Sequence, residues 1–211
     1  MNLIIYGAGG HAKVVGEAAY SLAVYEKIIF VDPFVEKFPF ITNNPKFPLV
    51  SSYPMQGKEL HTKSFCAIGD NAIRKKVVSD YSKDNFIYIA SNEAYISRFC
   101  NISPGVFIAP KASVNTETSI GSHSIVNTGA VTEHDCKISS FCHIGPNAEL
   151  GGNVLLGNKV FVGGNAFINP NLSVCCDVTI GSGSVVTKDI NEPGTYAGSP
   201  PKKGYIKNNK L

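Results

Sequence analysis

One six-residue pattern runs unbroken from Ile102 to Asn191, and it limits what this chain can fold into more than any other feature. At every sixth position from Ile102, through Ile108, Val114, Ile120 and Val126 to Ile180 and Val186, the residue is aliphatic except at Thr132. Four places after each stands a mostly small residue, as at Ala112, Ser124, Ala130, Cys136, Cys142 and Ser184. Gly often follows the aliphatic residue, as at Gly121, Gly145, Gly151, Gly157, Gly163 and Gly181. A single strand and turn of six residues cannot bury its one apolar face, so it must stack on copies of itself. The expected architecture is a parallel β-helix.

Ahead of the repeat, Leu3 to Tyr6 is an apolar run that breaks into Gly7-Ala8-Gly9-Gly10-His11-Ala12 and a helix-like segment, Lys13 to Leu22. A second apolar run, Lys27 to Val31, ends at Asp32. Strand, glycine turn, helix, strand and terminal acid make a βαβ unit of the nucleotide-binding type. The glycines let the backbone approach a ligand, and the helix N-terminus offers unpaired N–H groups to a diphosphate. Further strands are expected at Ser64 to Ile68 and Asn85 to Ala90. Gly69-Asp70-Asn71 ends the third strand and caps a helix over Ala72 to Tyr81, with Arg74, Lys75 and Lys76 read as its solvated face. Between them Phe34 to Leu60 carries Pro39, Pro45, Pro48 and Pro54, which preclude a long helix and suggest a surface excursion. The dinucleotide fingerprint is satisfied as well, so an NAD-dependent enzyme is a rival. A tight turn without a ligand is the plainer alternative.

Net charge is +3, with no long basic run of the kind that nucleic-acid binding leaves. No apolar stretch is long enough to insert in a membrane, and no leader pattern stands at the start, so a cytoplasmic protein is expected. The six cysteines show no CxxC or zinc spacing and are read as free thiols.

Residues that leave the β-helix pattern are the candidates for chemistry: Asn127, Thr128, Glu133-His134-Asp135 and His143. An outward imidazole beside a carboxylate suits a general base, because the acid selects the tautomer and steadies the imidazolium. Three-histidine metal chemistry on the same fold would need His123, His134 and His143 together, but the spacing puts His134 on another face, so no metal is expected.

The hexapeptide period resembles that of left-handed β-helix acyltransferases, in which three hexapeptides make one coil, implying about five coils here. Taken with Gly7-Ala8-Gly9-Gly10-His11, Val31-Asp32, Ile68-Gly69-Asp70-Asn71, Asn127-Thr128, Glu133-His134-Asp135, His143, Gly151-Gly152-Asn153-Val154 and Gly198-Ser199-Pro200-Pro201-Lys202, the chain resembles a family of sugar acetyltransferases. These include sialic acid O-acetyltransferases and N-acetyltransferases of UDP-4-amino-4,6-dideoxy sugars, most of all those of the bacillosamine pathway. The resemblance implies an α/β plus all-β chain: a small Rossmann-like domain over residues 1–92 that binds a nucleotide sugar, then a left-handed β-helix with a C-terminal tail over residues 93–211 that binds acetyl-CoA. It implies His134 as base with Asp135 or Glu133 orienting it, His143, Gly152, Gly164 and Ser182 at acetyl-CoA, and Gly9, Gly10, His11, Asp32, Gly69 and Asn71 at the nucleotide sugar. A homotrimer with sites between subunits follows from the same likeness. Two departures stand out: Asp135 replaces a Glu, and Ser91-Asn92-Glu93 stands where relatives often carry a His. The readings left open are sialic acid O-acetylation and a nucleotide-binding module without acyl transfer.

Overall fold

The computed structural model describes residues 1–37, 46–52 and 62–204. Its N-terminal unit is a parallel sheet of β1 (Asn2–Tyr6), β2 (Lys27–Val31), β3 (Leu49–Val50) and β4 (Thr62–Cys66), in the order β3-β2-β1-β4. Helices α1 (Gly10–Ser21) and α2 (Asn71–Asp80) follow β1 and β4. Tyr6 pairs with both Val31 and Cys66, so the three longer strands end level and their following loops open on one edge. That carboxyl edge is where open α/β sheets bind ligands.

Two expectations change here. The fourth strand of this sheet is Leu49–Val50, inside the proline-rich stretch, because two residues give no periodic signal; Pro39, Pro45 and Pro54 lie outside the described residues. Asn85 to Ala90 instead divides: Phe86 makes one bridge to Ser64, and Ile89–Ala90 is already a strand of the β-helix. The six-residue column therefore reaches back through Ile96 to Ala90, two strands ahead of the repeat's first clear residue.

From there the chain winds into three parallel sheets, each strand paired with the one eighteen residues on, as Ser119 with Lys137 and Ile125 with His143. The inward aliphatic residues form one continuous core with the small column beside them. Each corner needs one residue in the left-handed region, three places after the aliphatic one. Asp135, Asn147, Asn153, Asn165, Asn171 and Asp177 take it at φ values from 53° to 63°, as suits Asn and Asp. The glycines that directly follow the aliphatic residue serve a different purpose. A Cβ on Gly145 would sit 2.6 Å from Val162 O of the next coil, so close stacking excludes a side chain there. A parallel strand, Gly194–Gly198, and its hairpin partner Pro201–Gly204 close the far end. Among the described residues no helix is long and apolar enough to cross a membrane.

The N-terminal unit sits on one face of the prism. The outward residues of that face are Ile89, Phe107 and Ile125, all buried beneath α1 and the sheet core, then His143, then the half-open Phe161 and Thr179. Arg74 secures the contact. It is fully buried, donating from Nε to His123 O at 2.7 Å, from one terminal nitrogen to Ile68 O and Gly69 O, and from the other to Asn71 Oδ1, Phe141 O and Cys142 O. Every N–H of the guanidinium meets an oxygen dipole, which is how a cation is tolerated in an interior. Its pKa still falls from 12.5 to about 10 through desolvation. The expected solvated face of α2 is thus wrong at Arg74, which shares the inward stripe of the helix with Val77, Val78 and Tyr81.

Candidate active site

The carboxyl edge of the sheet opens into a cavity of about 570 Å³ lined by Gly7 to His11, Asp32, Phe34, Ile68, Gly69 and one face of α2. Gly9 caps α1 without a side-chain hydrogen bond, leaving the first-turn amides facing this space. Gly9, Gly10 and Gly69 have ordinary φ values, and a Cβ on any of them would meet no atom within 4 Å. Neither backbone conformation nor packing requires glycine at these places. The absence of side chains leaves the backbone here open to close approach by a ligand. Asp32 accepts from Ala8 N at 3.1 Å and Phe34 N at 3.0 Å, so both carboxylate oxygens are held at the cavity mouth.

His11 lies on the inner wall with its Nε2 buried and unpartnered, its ring edge-on to Phe107 and 6.3 Å from that of His143. Burial, with the nearby His143 and Arg74, lowers its pKa to about 3. His143 is neutral too, lowered to about 4 chiefly by burial. Its Nδ1 is 3.1 Å from Gly69 O and its Nε2 3.0 Å from Asn127 Nδ2. A carbonyl only accepts, so the proton is on Nδ1 and the Asn127 amide donates to Nε2. Asn71 bridges the same junction, donating to Lys159 O and Val160 O. A second cavity of about 370 Å³, bounded by Gly69, Asn71, His143, Phe161 and Thr179, adjoins the first at Gly69. Gly9, Gly10, His11, Asp32, Gly69, Asn71 and His143 therefore converge on one junction between the two units.

His134 and Asp135 are elsewhere. They occupy the turn at residues 133–136, across one face of the prism from the Asn127 corner. Of the two flanking acids, Asp135 is the one that touches the ring: its Oδ2 is 2.7 Å from His134 Nδ1, and the pair is 57% and 52% exposed. Asp135 makes this contact from a left-handed backbone, with φ of 62°. A carboxylate on Nδ1 leaves the Nε2 lone pair open, the arrangement a general base needs. Gly152, eighteen residues on, lies buried beneath the imidazole; a Cβ there would be 2.6 Å from Cε1 and 2.7 Å from Nε2. Gly164 and Ser182 are stacked on successive coils at the Asn127 corner, Gly164 half-buried and Ser182 exposed. One chain thus holds His134 with Gly152 at one corner and Gly164, Ser182 and the cavity at the sheet edge around another. His123 joins neither group, its ring being packed against Phe141 and Phe86.

Arg74 is the residue of this region that reading the sequence missed. The usable signal was in the repeat: Ile89, Phe107, Ile125 and Phe161 put an apolar outward residue at every third hexapeptide except at His143, marking the face to be covered.

Comparison with known proteins bears on the whole chain. Residues 2–81 match the PglD N-terminal domain. The acetyltransferase domain of PglB from Neisseria gonorrhoeae, solved with acetyl coenzyme A, is 30% identical over 96% of this chain and 98% of that one, with a TM-score of 0.83. PerB from Caulobacter crescentus, solved with CoA and GDP-perosamine, is 30% identical over 97% of this chain and 98% of its own, also with a TM-score of 0.83. WeeI from Acinetobacter baumannii, 23% identical over 96% and 100%, shares the fold with a TM-score of 0.85. The chain therefore belongs to the sugar N-acetyltransferase family that joins a PglD-type N-terminal domain to a left-handed β-helix.

Proposed function

We propose that this acetyltransferase moves the acetyl group of acetyl-CoA to the amine of a nucleotide-linked 4-amino-4,6-dideoxy sugar, with UDP as the nucleotide and His134 as the base. The observation that carries the reading is the His134–Asp135 pair, with Nδ1 held by the carboxylate and both side chains about half exposed at a corner of the prism. Acetyl-CoA supplies the thioester. His134 Nε2 takes a proton from the attacking nitrogen as the N–C bond forms and the C–S bond breaks, then returns it to the departing sulfur. Asp135 holds the Nδ1–H tautomer and offsets the imidazolium charge; general base catalysis of this kind contributes about 10²- to 10⁴-fold. The diphosphate would lie on the α1 amides and Gly69, with Asp32 accepting from ribose or base.

The base and the nucleotide cavity of one chain face different corners, which supports a homotrimer whose sites combine the cavity of one subunit with His134 of the next. A cytoplasmic location accords with both substrates. The test is CoA thiol release with UDP- and GDP-linked amino sugars and with free and CMP-linked sialic acid, using wild type and His134→Ala. Turnover on a UDP amino sugar, lost by about 10² or more in the variant, is expected. Preference for a GDP sugar would overturn the nucleotide; turnover only on sialic acid would overturn N-acetylation; an unaffected variant would remove His134 as base. For the shared site, His134→Ala coassembled with a cavity variant should regain activity that neither shows alone.

A further inference from the structure

The turn that carries His134 and Asp135 is gripped from inside the prism. Thr118 stands in the column of small inward residues, fully buried, one coil before that turn. Its hydroxyl donates to Glu133 O at 2.7 Å and accepts from Cys136 N at 3.2 Å. A single hydroxyl thus ties together the first and last residues of the turn, and the two residues between them are the pair proposed for catalysis. Outside the prism Asp135 N donates to Thr116 O at 3.1 Å, and His134 O accepts from Asn153 N at 2.8 Å. The backbone that aims the imidazole is held from the coil before, the coil after and within.

Coil stacking alone does not require this grip. At the same corner one coil on, Cys136 reaches only one end of the turn, its Sγ 3.3 Å from Gly151 O. One coil further the inward residue is Val154, also fully buried and with no polar side-chain atom. The two-point grip recurs at the next corner of the same coil, where Ser124 Oγ donates to Ser139 O at 2.9 Å and accepts from Cys142 N at 3.0 Å, just before His143. Two of the polar groups buried inside this apolar prism, Thr118 and Ser124, are thus placed under the coil that presents both His134 and His143.

We infer that Thr118 is a positioning residue for acetyl transfer: its hydroxyl fixes the 133–136 turn so that His134 Nε2 keeps its aim and Asp135 keeps its contact with Nδ1. The inference rests on the reading of His134 as the base. Thr118 touches no substrate, so its loss should act on turnover and leave binding alone. Thr118→Val removes the hydroxyl at nearly constant volume, and the prism already accommodates Val in this column at Val154. Displacement of a catalytic group on the scale of 1 Å costs on the order of 10²-fold, so kcat should fall by about 10- to 10²-fold with both KM values within about twofold. Thr118→Ser, which keeps the hydroxyl, should restore kcat. If the Val variant yields no folded protein, Thr118→Cys is measured the same way, Cys being the residue of this column at Cys136.

Steady-state kinetics of these variants beside His134→Ala decide the matter. Wild-type kcat in Thr118→Val while His134→Ala is inactive overturns the inference and leaves the base in place. Equal losses in the Ser and Val variants overturn it by showing that side-chain volume matters and the hydroxyl does not. A rise in KM without loss of kcat overturns it as well. An active His134→Ala removes the base reading itself.

Discussion

Small side-chain facts settle the local chemistry. Asp135 meets the imidazole from the left-handed backbone that the corner imposes and that Asp tolerates, and the ring sits close over Gly152, where any side chain would collide with it. Gly152→Ala would put a methyl group 2.6 Å from His134 Cε1, and the ring, exposed on its other side, would move. The expected outcome is a loss of kcat on the order of 10²-fold with little change in melting temperature, read by kinetics and thermal unfolding of the same preparation. Wild-type kcat in that variant would show that the position of the ring over Gly152 is immaterial. Arg74 teaches the opposite lesson about reading residues singly. In an Arg-Lys-Lys run it passes for a solvated cation, and only the oxygen dipoles of two separate units reveal it as an interior one.

At the scale of elements, the strand–glycine–helix unit was legible because each part has a physical cause visible in the sequence: the apolar run, the break, the helix and the terminal acid. Its first helix starts at Gly10, three residues before the expected Lys13, since glycines in the first turn carry no helical signal. Gly10→Ala and Gly69→Ala separate stability from binding. A Cβ meets nothing at either position, so the fold should be unharmed, and Gly10→Ala should stabilise it by about 0.4–1 kcal/mol through the unfolded chain. Affinity for the nucleotide sugar should nevertheless fall about tenfold or more, since the methyl group occupies ligand space. Calorimetric titration with the nucleotide beside denaturant unfolding checks both signs; unchanged affinity in both variants would mean that the ligand approaches elsewhere.

For the whole molecule, the junction between the two units is built on neutral histidines. His143 and His123 are lowered to about 4 and His11 to about 3, in each case first by burial, with Arg74 adding to the effect. An imidazole held below its ordinary 6.5 takes up its proton later in the folded chain than in the unfolded one. Between about pH 6.5 and 4 the unfolded state therefore binds more protons, and stability declines as pH falls through that window. Urea unfolding at neutral pH and near pH 4.5 should show a clear loss, and His123→Phe should flatten the slope. A stability flat across this window would mean that the three rings titrate freely. The proposed trimer belongs to this scale too, because His134 and the cavity at the sheet edge of one chain face different corners.

By itself the sequence determined the β-helix, the nucleotide-type βαβ unit and the outward position of His134, because each is a matter of spacing along the chain. A period of six puts its two apolar columns inward whatever surrounds them, and the turn position that His134 takes lies off both columns. The tertiary structure decided which prism face carries the N-terminal unit, that Arg74 is buried, that Asp135 is the acid on the ring, and that Thr118 grips the turn beneath it. These depend on groups far apart in sequence meeting across coils or between units, where burial and dipoles set their charge and partners, and no local pattern records such meetings.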